Sequence, residues 1–367
     1  MAFGRSMTSN NKNAFINFNI VFMKRLPWIL LCLLIVGIVP VVAQKFEVSV
    51  KKIWDNGSHC AFTSLIKYDG KFYCSFREGE THIFDKQGKA EGKVRILVSD
   101  DGEEWTPVAF IHKAGYDLRD PKLSVMPDGR MMVIIGGSIY KDKKLVGRVP
   151  MVSFSKDGKS FTEPVPIKIE EKAKNGNDWL WRVTWEGPIG YGVNYSLDKN
   201  DEEARISLLK TTDGLNYQLV ANLDVPDYPN ETTVRILPDK RMLMMVRCEK
   251  GDRNGYWGVS MPPYKEWNWK KMEIRLGGPD FISLGKGVLI AGSRSHYIPS
   301  SPKTALFTGN EEGKFQEVFV LPSGGDTSYP GLLVEGEEVW VSYYSSHETP
   351  NASIYFAKLP LSLFMKK

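Results

Sequence analysis

The sequence predicts an all-β protein, a six-bladed β-propeller formed by one domain at residues 44–367. Beyond residue 46 there is almost no helical periodicity, but many short runs of β-branched and aromatic residues lie between Gly, Asp and Pro. One turn motif recurs at constant spacing, and a second hairpin pattern occurs six times. A repeat of roughly 40–60 residues with four strands per unit is typical of a propeller.

The recurring turn motif combines Ser or Thr, an Asp-Gly pair and a closing aromatic residue. Its clear copies start 56 residues apart, and a weaker copy follows: SDDGEEW (99–105), SKDGKSF (155–161), TTDGLNY (211–217) and TGNEEGKF (308–315). We expect each Asp to accept hydrogen bonds from the amides of its own turn, with the aromatic ring packed below. The constant spacing indicates a repeated structural unit.

Six longer segments are typical of inner hairpins, and they give the number of blades. They are residues 61–78, 120–137, 181–195, 230–247, 278–294 and 328–345. The last blade has SIYFAKLPL (353–361) but no fourth strand of its own. We therefore expect KFEVSVKKIW (45–54) to complete it, with residues 46–53 pairing with 353–359 and no free edge remaining.

Charged residues occur at the free ends of these hairpins. In a propeller, each inner hairpin has its turn at one face and its free ends near the axis at the other. The residues predicted at the free ends are Arg77, Glu78, Arg119, Asp120, Arg182, Asn230, Glu231, Arg247, Asp280, Arg294, Asp326, Tyr329 and His347. They predict a functional pocket on the axis. The alternative is a polar, water-filled axis where several of these side chains only bond neighbouring loops.

The chemistry of this predicted pocket is dominated by arginine, whose forked head group binds carboxylate or phosphate. Clustered arginines should also keep neighbouring carboxylates ionised and lower the pKa of a nearby tyrosine. Tyr329 beside Glu231 is a candidate nucleophile with its base, and we expect hydrogen-bonding distance between them. Aromatic residues that could stack on a sugar ring are Trp179, Trp181, Trp185, Trp257 and Tyr343.

The N-terminal region has the pattern of a secretory signal. Lys24 and Arg25 precede an apolar run of 17 residues, 26–42, and a cleavage site is expected near Ala43. We therefore expect residues 1–43 to be an extension and signal peptide, and the mature chain to be secreted or periplasmic without a membrane span. An uncleaved anchor is the alternative, although a run this short with two prolines is marginal for spanning.

The remaining composition excludes some functions. A net charge of +5 without a Lys/Arg block gives little support for nucleic-acid binding. Export would leave Cys60, Cys74 and Cys248, an odd number that argues against a disulfide framework. A turn at residues 69–70 would place Cys74 opposite Leu65. No Cys/His spacing is typical of a zinc site, so we expect no metal, no cofactor and buried thiols.

Residues 46–361 resemble the sialidase (neuraminidase) superfamily in the Asp-box (BNR) turns, the six blades and the arginine-rich centre. In that family a glutamate begins the first strand of blade 4 and an arginine ends its second strand, where Glu231 and Arg247 stand. Arg294 on blade 5 and Tyr329 entering blade 6 match two further family positions. The resemblance implies an exo-α-sialidase-like glycoside hydrolase, retaining and with a tyrosine nucleophile.

The sequence also departs from the family pattern. The first-blade Arg-Ile-Pro motif is replaced by SHCAFTSL (58–65), and Arg77 is a candidate to supply the missing charge. The acid/base aspartate has no direct match, because Glu80, His82 and Asp85 lie in the corresponding loop and Asp120 begins the next blade. We assign Tyr329, Glu231 and Asp120 as catalytic. We assign as substrate-binding Arg77, Arg119, Arg182, Arg247, Arg294, His82 and Asp326.

The sequence is compatible with three functions. The preferred hypothesis is an exo-glycosidase that releases a terminal acidic sugar, sialic acid or a similar one, from a glycan or oligosaccharide. The second is another carbohydrate-active enzyme on the same scaffold, with a different sugar specificity or lyase chemistry. The third is a non-catalytic glycan-binding propeller, which would not need a Tyr/Glu pair beside clustered arginines.

Overall fold

A computed structural model describes residues 48–174, 176–196, 204–297 and 301–365. The proposed signal peptide and the cleavage site near Ala43 lie outside the described residues. The described residues belong to one compact unit, Phe46–Lys367. A search of the described residues for a helix able to cross a membrane found none.

The described part of Phe46–Lys367 is built from small, mostly antiparallel sheets arranged in a ring. The strands, in chain order, are β1 Ser49–Trp54, β2 His59–Tyr68, β3 Lys71–Gly79, β4 Lys93–Ser99, β5 Thr106–Ile111, β6 Asp117–Val125, β7 Met131–Lys141, β8 Lys144–Ser155, β9 Val165–Pro166, β10 Lys168–Ile169, β11 Asp178–Glu186, β12 Ile189–Ser196, β13 Ile206–Thr211, β14 Asn216–Leu223, β15 Pro229–Ile236, β16 Met242–Cys248, β17 Asn254–Ser260, β18 Asn268–Arg275, β19 Asp280–Gly285, β20 Val288–His296, β21 Lys303–Asn310, β22 Phe315–Val320, β23 Thr327–Glu335, β24 Glu338–Ser345 and β25 Ser353–Pro360. Two short 3-10 helices are Glu171–Ala173 and Leu361–Leu363.

These strands form six blades, which confirms the predicted propeller. Blades 1 to 5 begin with the hairpins β2–β3, β6–β7, β11–β12, β15–β16 and β19–β20, and blade 6 begins with β23–β24. Blade 3 gains a fifth strand, because β10 pairs in parallel with β14. The predicted ring closure is also correct, since β1 pairs antiparallel with β25 from Ser49 opposite Lys358 to Trp54 opposite Ile354.

The recurring turns make the hydrogen bonds expected from their sequence. In the second copy, Oδ1 of Asp157 accepts from the amides of Lys159 (2.8 Å) and Ser160 (2.7 Å). The Ser155 hydroxyl accepts from the amide of Gly158 at 2.9 Å, and Gly158 has a φ of +68° that favours glycine. Equivalent bonds to Asp101 and Asp213 fix the other two turns.

Hydrophobic side chains fill the spaces between neighbouring blades. Tyr68, Ile96 and Val133, for example, belong to one cluster that joins blades 1 and 2. Cys74 lies opposite Leu65, as predicted from the turn. The cysteines of the described chain are buried and unpaired: Cys60, Cys74 and Cys248. Burial raises the pKa of the Cys74 thiol to about 12, so this thiol is unreactive at neutral pH.

The innermost strands share an irregularity at their axial ends. Strand pairing shifts between residues 61 and 64, 119 and 122, 180 and 183, 229 and 232, and 328 and 331. Phe62, Asp120 and Tyr329 lie inside three of these shifts, with φ values of +69°, +51° and +53°. A β-bulge redirects a side chain out of the regular alternation, so these bulges determine which residues face the axis.

Close packing between blades 6 and 1 gives a stability prediction. A Cβ added at Gly331 would lie 2.5 Å from the backbone nitrogen of Leu65 in the next blade. We expect Gly331→Ala to lower the free energy of unfolding by about 1–3 kcal/mol, because the two blades must separate to admit the methyl group. Thermal denaturation followed by circular dichroism measures this effect.

The matched control is Gly147→Ala in β8, where the nearest atom to an added Cβ is a flexible methyl group of Ile139 at 3.5 Å. It should change the melting temperature little. Equal melting temperatures for the two variants would contradict the tight junction between blades 6 and 1.

Candidate active site

A cavity of about 380 Å³ lies where the redirected axial side chains converge. Its walls are formed by Phe62, His82, Arg119, Asp120, Ser138, Arg148, Trp179, Tyr195, Glu231, Arg247, Arg294, Asp326, Tyr329 and Tyr344. The structure therefore brings together all three residues assigned as catalytic and five of the seven assigned as substrate-binding. Of the aromatic residues proposed to contact a sugar, Trp179 lines this cavity.

The Glu231 carboxylate makes three hydrogen bonds in the cavity. Its Oε1 atom lies 2.5 Å from the hydroxyl of Tyr329, which donates to it. Its Oε2 atom accepts from Nη1 of Arg247 at 2.7 Å and from the amide of Gly278 at 2.9 Å. One carboxylate oxygen is thus held in place by two donors, while the other faces the phenol.

The pKa of Tyr329 differs from the sequence-based expectation. Burial raises it well above the usual value for tyrosine, the charge of Glu231 raises it further, and Arg247 only partly opposes them. The expected lowering by clustered arginines is therefore wrong, because one arginine does not offset burial and an adjacent carboxylate. The resting tyrosine is a neutral phenol whose proton already points at a base.

The arginines around the cavity differ in how fully they are paired. Arg247 is held by Glu231 and also by Glu249, whose Oε1 lies 2.5 Å from its Nη2. The buried Nε of Arg294 has no hydrogen-bond partner in the described chain, and the guanidinium carbon of Arg294 lies 5.0 Å from the Tyr297 ring centre. The guanidinium group of Arg119 lies over the ring of Phe62. Arg294 is thus the least neutralised cation of the three.

Two predicted arginines do not reach this cavity. Arg77 is 1% exposed, and its Nε and Nη2 both lie 2.8 Å from Oδ1 of Asp117. Arg182 is bound to Asp280 at 2.8 Å. In both cases the arginine side chain pairs with a carboxylate from another blade. The assignment of Arg77 and Arg182 as substrate-binding residues of this cavity is therefore corrected, whereas Arg119, Arg247 and Arg294 line it.

Asp120 lies buried beside Lys122, a residue that the sequence analysis did not select. Burial raises the pKa of Asp120 to about 6, although Lys122 and Arg119 oppose the shift. Burial likewise lowers the pKa of Lys122 to about 7. The expectation that arginines keep neighbouring carboxylates fully ionised therefore fails at Asp120. No sequence pattern identified Lys122, because the β-bulge between Arg119 and Lys122 interrupts the regular alternation of the strand.

Asp326 connects His82 to a second histidine that the sequence analysis missed. Its Oδ2 atom lies 2.6 Å from Nδ1 of His82 and 3.0 Å from Nε2 of His59, and Tyr344 donates to its Oδ1 at 2.9 Å. Burial acts to raise the pKa of Asp326, but the bonds from His59 and His82 outweigh it and hold this pKa well below its usual range. These two contacts therefore favour the ionised form of the Asp326 carboxylate.

The same three side chains are a candidate metal-ligand set. One ligand atom each from His59, His82 and Asp326 lies within 4.8 Å of the other two, an arrangement that could accept a divalent cation. In this structure Oδ2 of Asp326 contacts one nitrogen of each imidazole, and the buried Nδ1 of His59 has no hydrogen-bond partner among the described residues. Glu80 and Asp85, the other loop candidates for an acid, line a separate outer cavity of about 610 Å³.

Other cavity residues were also missed, each for an identifiable reason. Arg148 reaches the cavity from β8, a strand that the hairpin pattern did not treat as axial. Tyr344 was passed over for its neighbour Tyr343, which points into the core between blades 5 and 6. Only the register of β24, which a one-residue shift reverses, distinguishes these two tyrosines.

Comparison with known proteins agrees with this architecture. No family model and no curated protein matches the sequence. Among solved structures, a Dyadobacter fermentans protein of unknown function aligns with a TM-score of 0.71 and 20% identity, over 85% of this chain and 99% of its own. A Fusarium graminearum α-L-arabinofuranosidase, in complex with an iminosugar inhibitor, aligns with 0.64 and 15%, over 87% of this chain and 99% of its own.

Trypanosoma rangeli sialidase in complex with sialic acid aligns with a TM-score of 0.62 and 12% identity, over 86% of this chain. The fold is sialidase-like. This chain spans 59% of the length of that sialidase. At such identities the comparisons establish the six-bladed architecture, and the chemistry must be argued from the cavity itself.

The raised pKa of Asp120 gives a pH-dependent prediction. Between pH 4 and pH 6 an unfolded aspartate has lost its proton while the folded Asp120 retains it, so stability is lost as the pH rises through this window. Asp120→Asn cannot titrate. The melting temperature of this variant relative to that of the wild type should therefore increase from pH 4 to pH 7. The corresponding change in the relative free energy of unfolding is up to about 3 kcal/mol.

The control is Glu80→Gln, which removes an exposed carboxylate outside the cavity. Its difference from the wild type should stay constant over the same pH range. A flat difference for Asp120→Asn would show that the folded carboxyl titrates like an unfolded one.

Proposed function

We propose that this protein is a retaining exo-glycosidase that releases a terminal acidic sugar from a glycan. The observation that carries the proposal is the Tyr329 hydroxyl placed 2.5 Å from Glu231 inside a cavity walled by arginines. A phenol hydrogen-bonded to a carboxylate is the arrangement expected of an activated nucleophile and its base. The likeness of the fold to a sialidase and an arabinofuranosidase supports a glycosidase.

The geometry supports Tyr329 as the nucleophile and Glu231 as its base. A phenol with a raised pKa cannot attack the anomeric carbon until its proton has been removed. Glu231 is positioned to accept that proton through Oε1 while Arg247 and the Gly278 amide hold Oε2. Nη1 of Arg247 also lies 3.4 Å from the phenol oxygen, where it would stabilise developing negative charge.

Arg294 supports an acidic substrate. Its charge makes no ion pair within the described residues, and its Nε is buried without a partner. Burying an unpaired guanidinium group is costly unless a ligand supplies the missing anion. A carboxylate on the sugar would bind this fork and Arg119 from the same cavity.

A second candidate is a glycosidase for a neutral sugar. Arg247 is already neutralised by two carboxylates, Glu231 and Glu249, and two further predicted arginines lie outside the cavity. The cavity therefore holds less unpaired positive charge than the sequence indicated. The alignment with an α-L-arabinofuranosidase favours this alternative.

A substrate panel tests the proposal and separates the two candidates. Purified protein is incubated with 4-methylumbelliferyl α-sialoside, aryl uronides, aryl arabinofuranosides and terminal-sugar oligosaccharides. Release of an acidic sugar supports the first candidate, and Arg294→Gln should then reduce kcat/KM roughly 10- to 100-fold. Release of a neutral sugar with Arg294→Gln near wild type supports the second. Binding without turnover would contradict both and support a non-catalytic glycan-binding protein.

Tyr329→Phe is the variant that addresses the nucleophile. It removes only the phenol oxygen, so turnover of the identified substrate should fall below detection while the substrate's dissociation constant changes little. Steady-state kinetics and calorimetric titration measure the two quantities. Tyr343→Phe, which removes a buried hydroxyl in the same blade but outside the cavity, should retain turnover. Near-normal turnover by Tyr329→Phe would exclude the tyrosine mechanism and direct attention to Asp120 and Glu231 as a carboxylate pair.

We further propose that the enzyme acts outside the cytoplasm, as the signal pattern before Ala43 indicates. The intact mass of the protein isolated from its native host tests this proposal. A mature chain that retains residues 1–43 would contradict it.

A further inference from the structure

Glycoside cleavage requires a proton donor for the leaving group as well as a nucleophile. Apart from Glu231 and Asp326, whose oxygens are occupied by the contacts described above, the carboxyl and imidazole groups that line the described cavity belong to Asp120 and His82. These are the group types that most often donate a proton to a leaving group. The loop carboxylates Glu80 and Asp85 line a different cavity. The choice between Asp120 and His82 therefore defines the acid/base of the proposed reaction.

Position separates these two candidates. Asp120 is 9% exposed and lies deep in the cavity, within the electrostatic influence of Lys122, Arg119 and Glu231. The side chain of His82 is 45% exposed and lies at the cavity rim. An exo-enzyme holds the terminal sugar inside the cavity, so the rest of the glycan must leave towards solvent. The proton donor for that departing oxygen belongs at the rim.

His82 is also fixed much more firmly than its exposure suggests. The Asp326 carboxylate lies 2.6 Å from its Nδ1, and Arg119 donates to its backbone oxygen at 2.8 Å. Arg77 donates to the preceding carbonyl, that of Thr81, also at 2.8 Å. Three charged side chains thus hold two consecutive residues of an exposed loop. Packing alone does not require three charged side chains to bind a loop at the protein surface.

Ring contacts connect His82 to the nucleophile through Phe62. The ring of Phe62 contacts the His82 ring edge-on at 5.4 Å and the Tyr329 ring at 4.9 Å between centroids. Phe62 adopts a φ of +69° to stand between them. Because Asp326 engages Nδ1, the other ring nitrogen, Nε2, is the one left to meet a substrate.

We propose that His82 is the catalytic acid/base, oriented by Asp326 as a positioning residue, an inference that rests on the proposed glycosidase function. The substrate it serves is a glycoside whose leaving group is a sugar hydroxyl. Asp120 then has a different use, because its buried Oδ1 has no partner among the described residues and can accept a hydrogen bond from a substrate hydroxyl.

The proposed steps balance in protons and electrons. The Tyr329 oxygen bonds to the anomeric carbon and passes its proton to Glu231, while the bond from that carbon to the leaving oxygen breaks. The leaving oxygen keeps the electron pair and takes the proton from Nε2 of the His82 imidazolium. Water then attacks the anomeric carbon and gives one proton to neutral His82, and Tyr329 departs with the proton returned by Glu231. The net reaction is hydrolysis.

The test compares substrates that differ in their need for an acid. An aryl glycoside with a good leaving group needs little protonation, whereas a sugar leaving group needs it fully. His82→Gln should therefore cleave the natural-type disaccharide roughly 10²- to 10⁴-fold more slowly than wild type, but the activated aryl glycoside within about tenfold. Tyr329→Phe should lose both activities. His112→Gln, an exposed histidine outside the cavity, should lose neither.

Asp326→Asn tests the positioning role of Asp326 with a readout that a purely structural role would not change, the pH profile of kcat. The groups facing the His82 ring are Asp326, His59 and Asp120, together with Arg119 at its backbone. Loss of the Asp326 charge removes an attraction for the imidazolium, so the basic limb of the pH profile of kcat should move to lower pH. An unchanged profile would overturn the role of Asp326, and equal losses on both substrates for His82→Gln would overturn the acid role of His82.

Two further outcomes separate this inference from failure of the proposed function. If wild type cleaves nothing in the panel, the proposed function fails, and the inference that rests on it falls as well. If wild type cleaves but contains one equivalent of zinc by elemental analysis, or loses activity in EDTA, then His59, His82 and Asp326 are metal ligands. His82 could not act as the acid in that case. Full activity in EDTA supports the proposal.

Discussion

The Glu231 carboxylate connects three blades at the axis, and the geometry of the cavity depends on it. It belongs to blade 4 and accepts from Arg247 of the same blade, from the amide of Gly278 at the start of blade 5 and from Tyr329 of blade 6. Each of these bonds involves a buried group, and a buried charge without partners would be strongly unfavourable. The carboxylate therefore fixes the relative positions of the nucleophile, the arginine and the backbone around them.

The bulges explain how a regular repeat produces an irregular cavity. A regular strand directs alternate side chains between blades, where they form the hydrophobic clusters that stabilise the ring. At the axial ends, pairing shifts in five of the six blades turn the side chains toward the centre. Positive φ values at Phe62, Asp120 and Tyr329 cost free energy, and such strain persists only where the surrounding structure determines it. The packed blades supply that constraint at these three axial positions.

Much of this was predictable from sequence, and the failures have a common cause. Hairpin patterns correctly predicted the blades, the ring closure and the level at which Glu231, Arg247 and Tyr329 meet. They could not predict which carboxylate binds each arginine, because Arg77 pairs with Asp117 and Arg182 with Asp280 across blade boundaries. Nor could they predict burial, which raises the pKa of Tyr329 and of Asp120 against the effect of nearby cations. Both failures concern contacts between blades, and a local pattern carries no information about such contacts.

Arg77 and Arg119 both anchor the loop that carries His82. Arg77 donates to the carbonyl of Thr81, and Arg119 donates to that of His82. Positive charge that the sequence assigned to substrate binding therefore anchors a loop. The same loop carries the histidine that faces the cavity where the resemblance implied an aspartate. The Asp326 carboxylate lies 2.6 Å from Nδ1 of this histidine and fixes the orientation of its ring. In the proposed mechanism the anchored loop and the His82–Asp326 pair therefore act together, because the arginines fix the position of the loop and the carboxylate fixes the orientation of the ring.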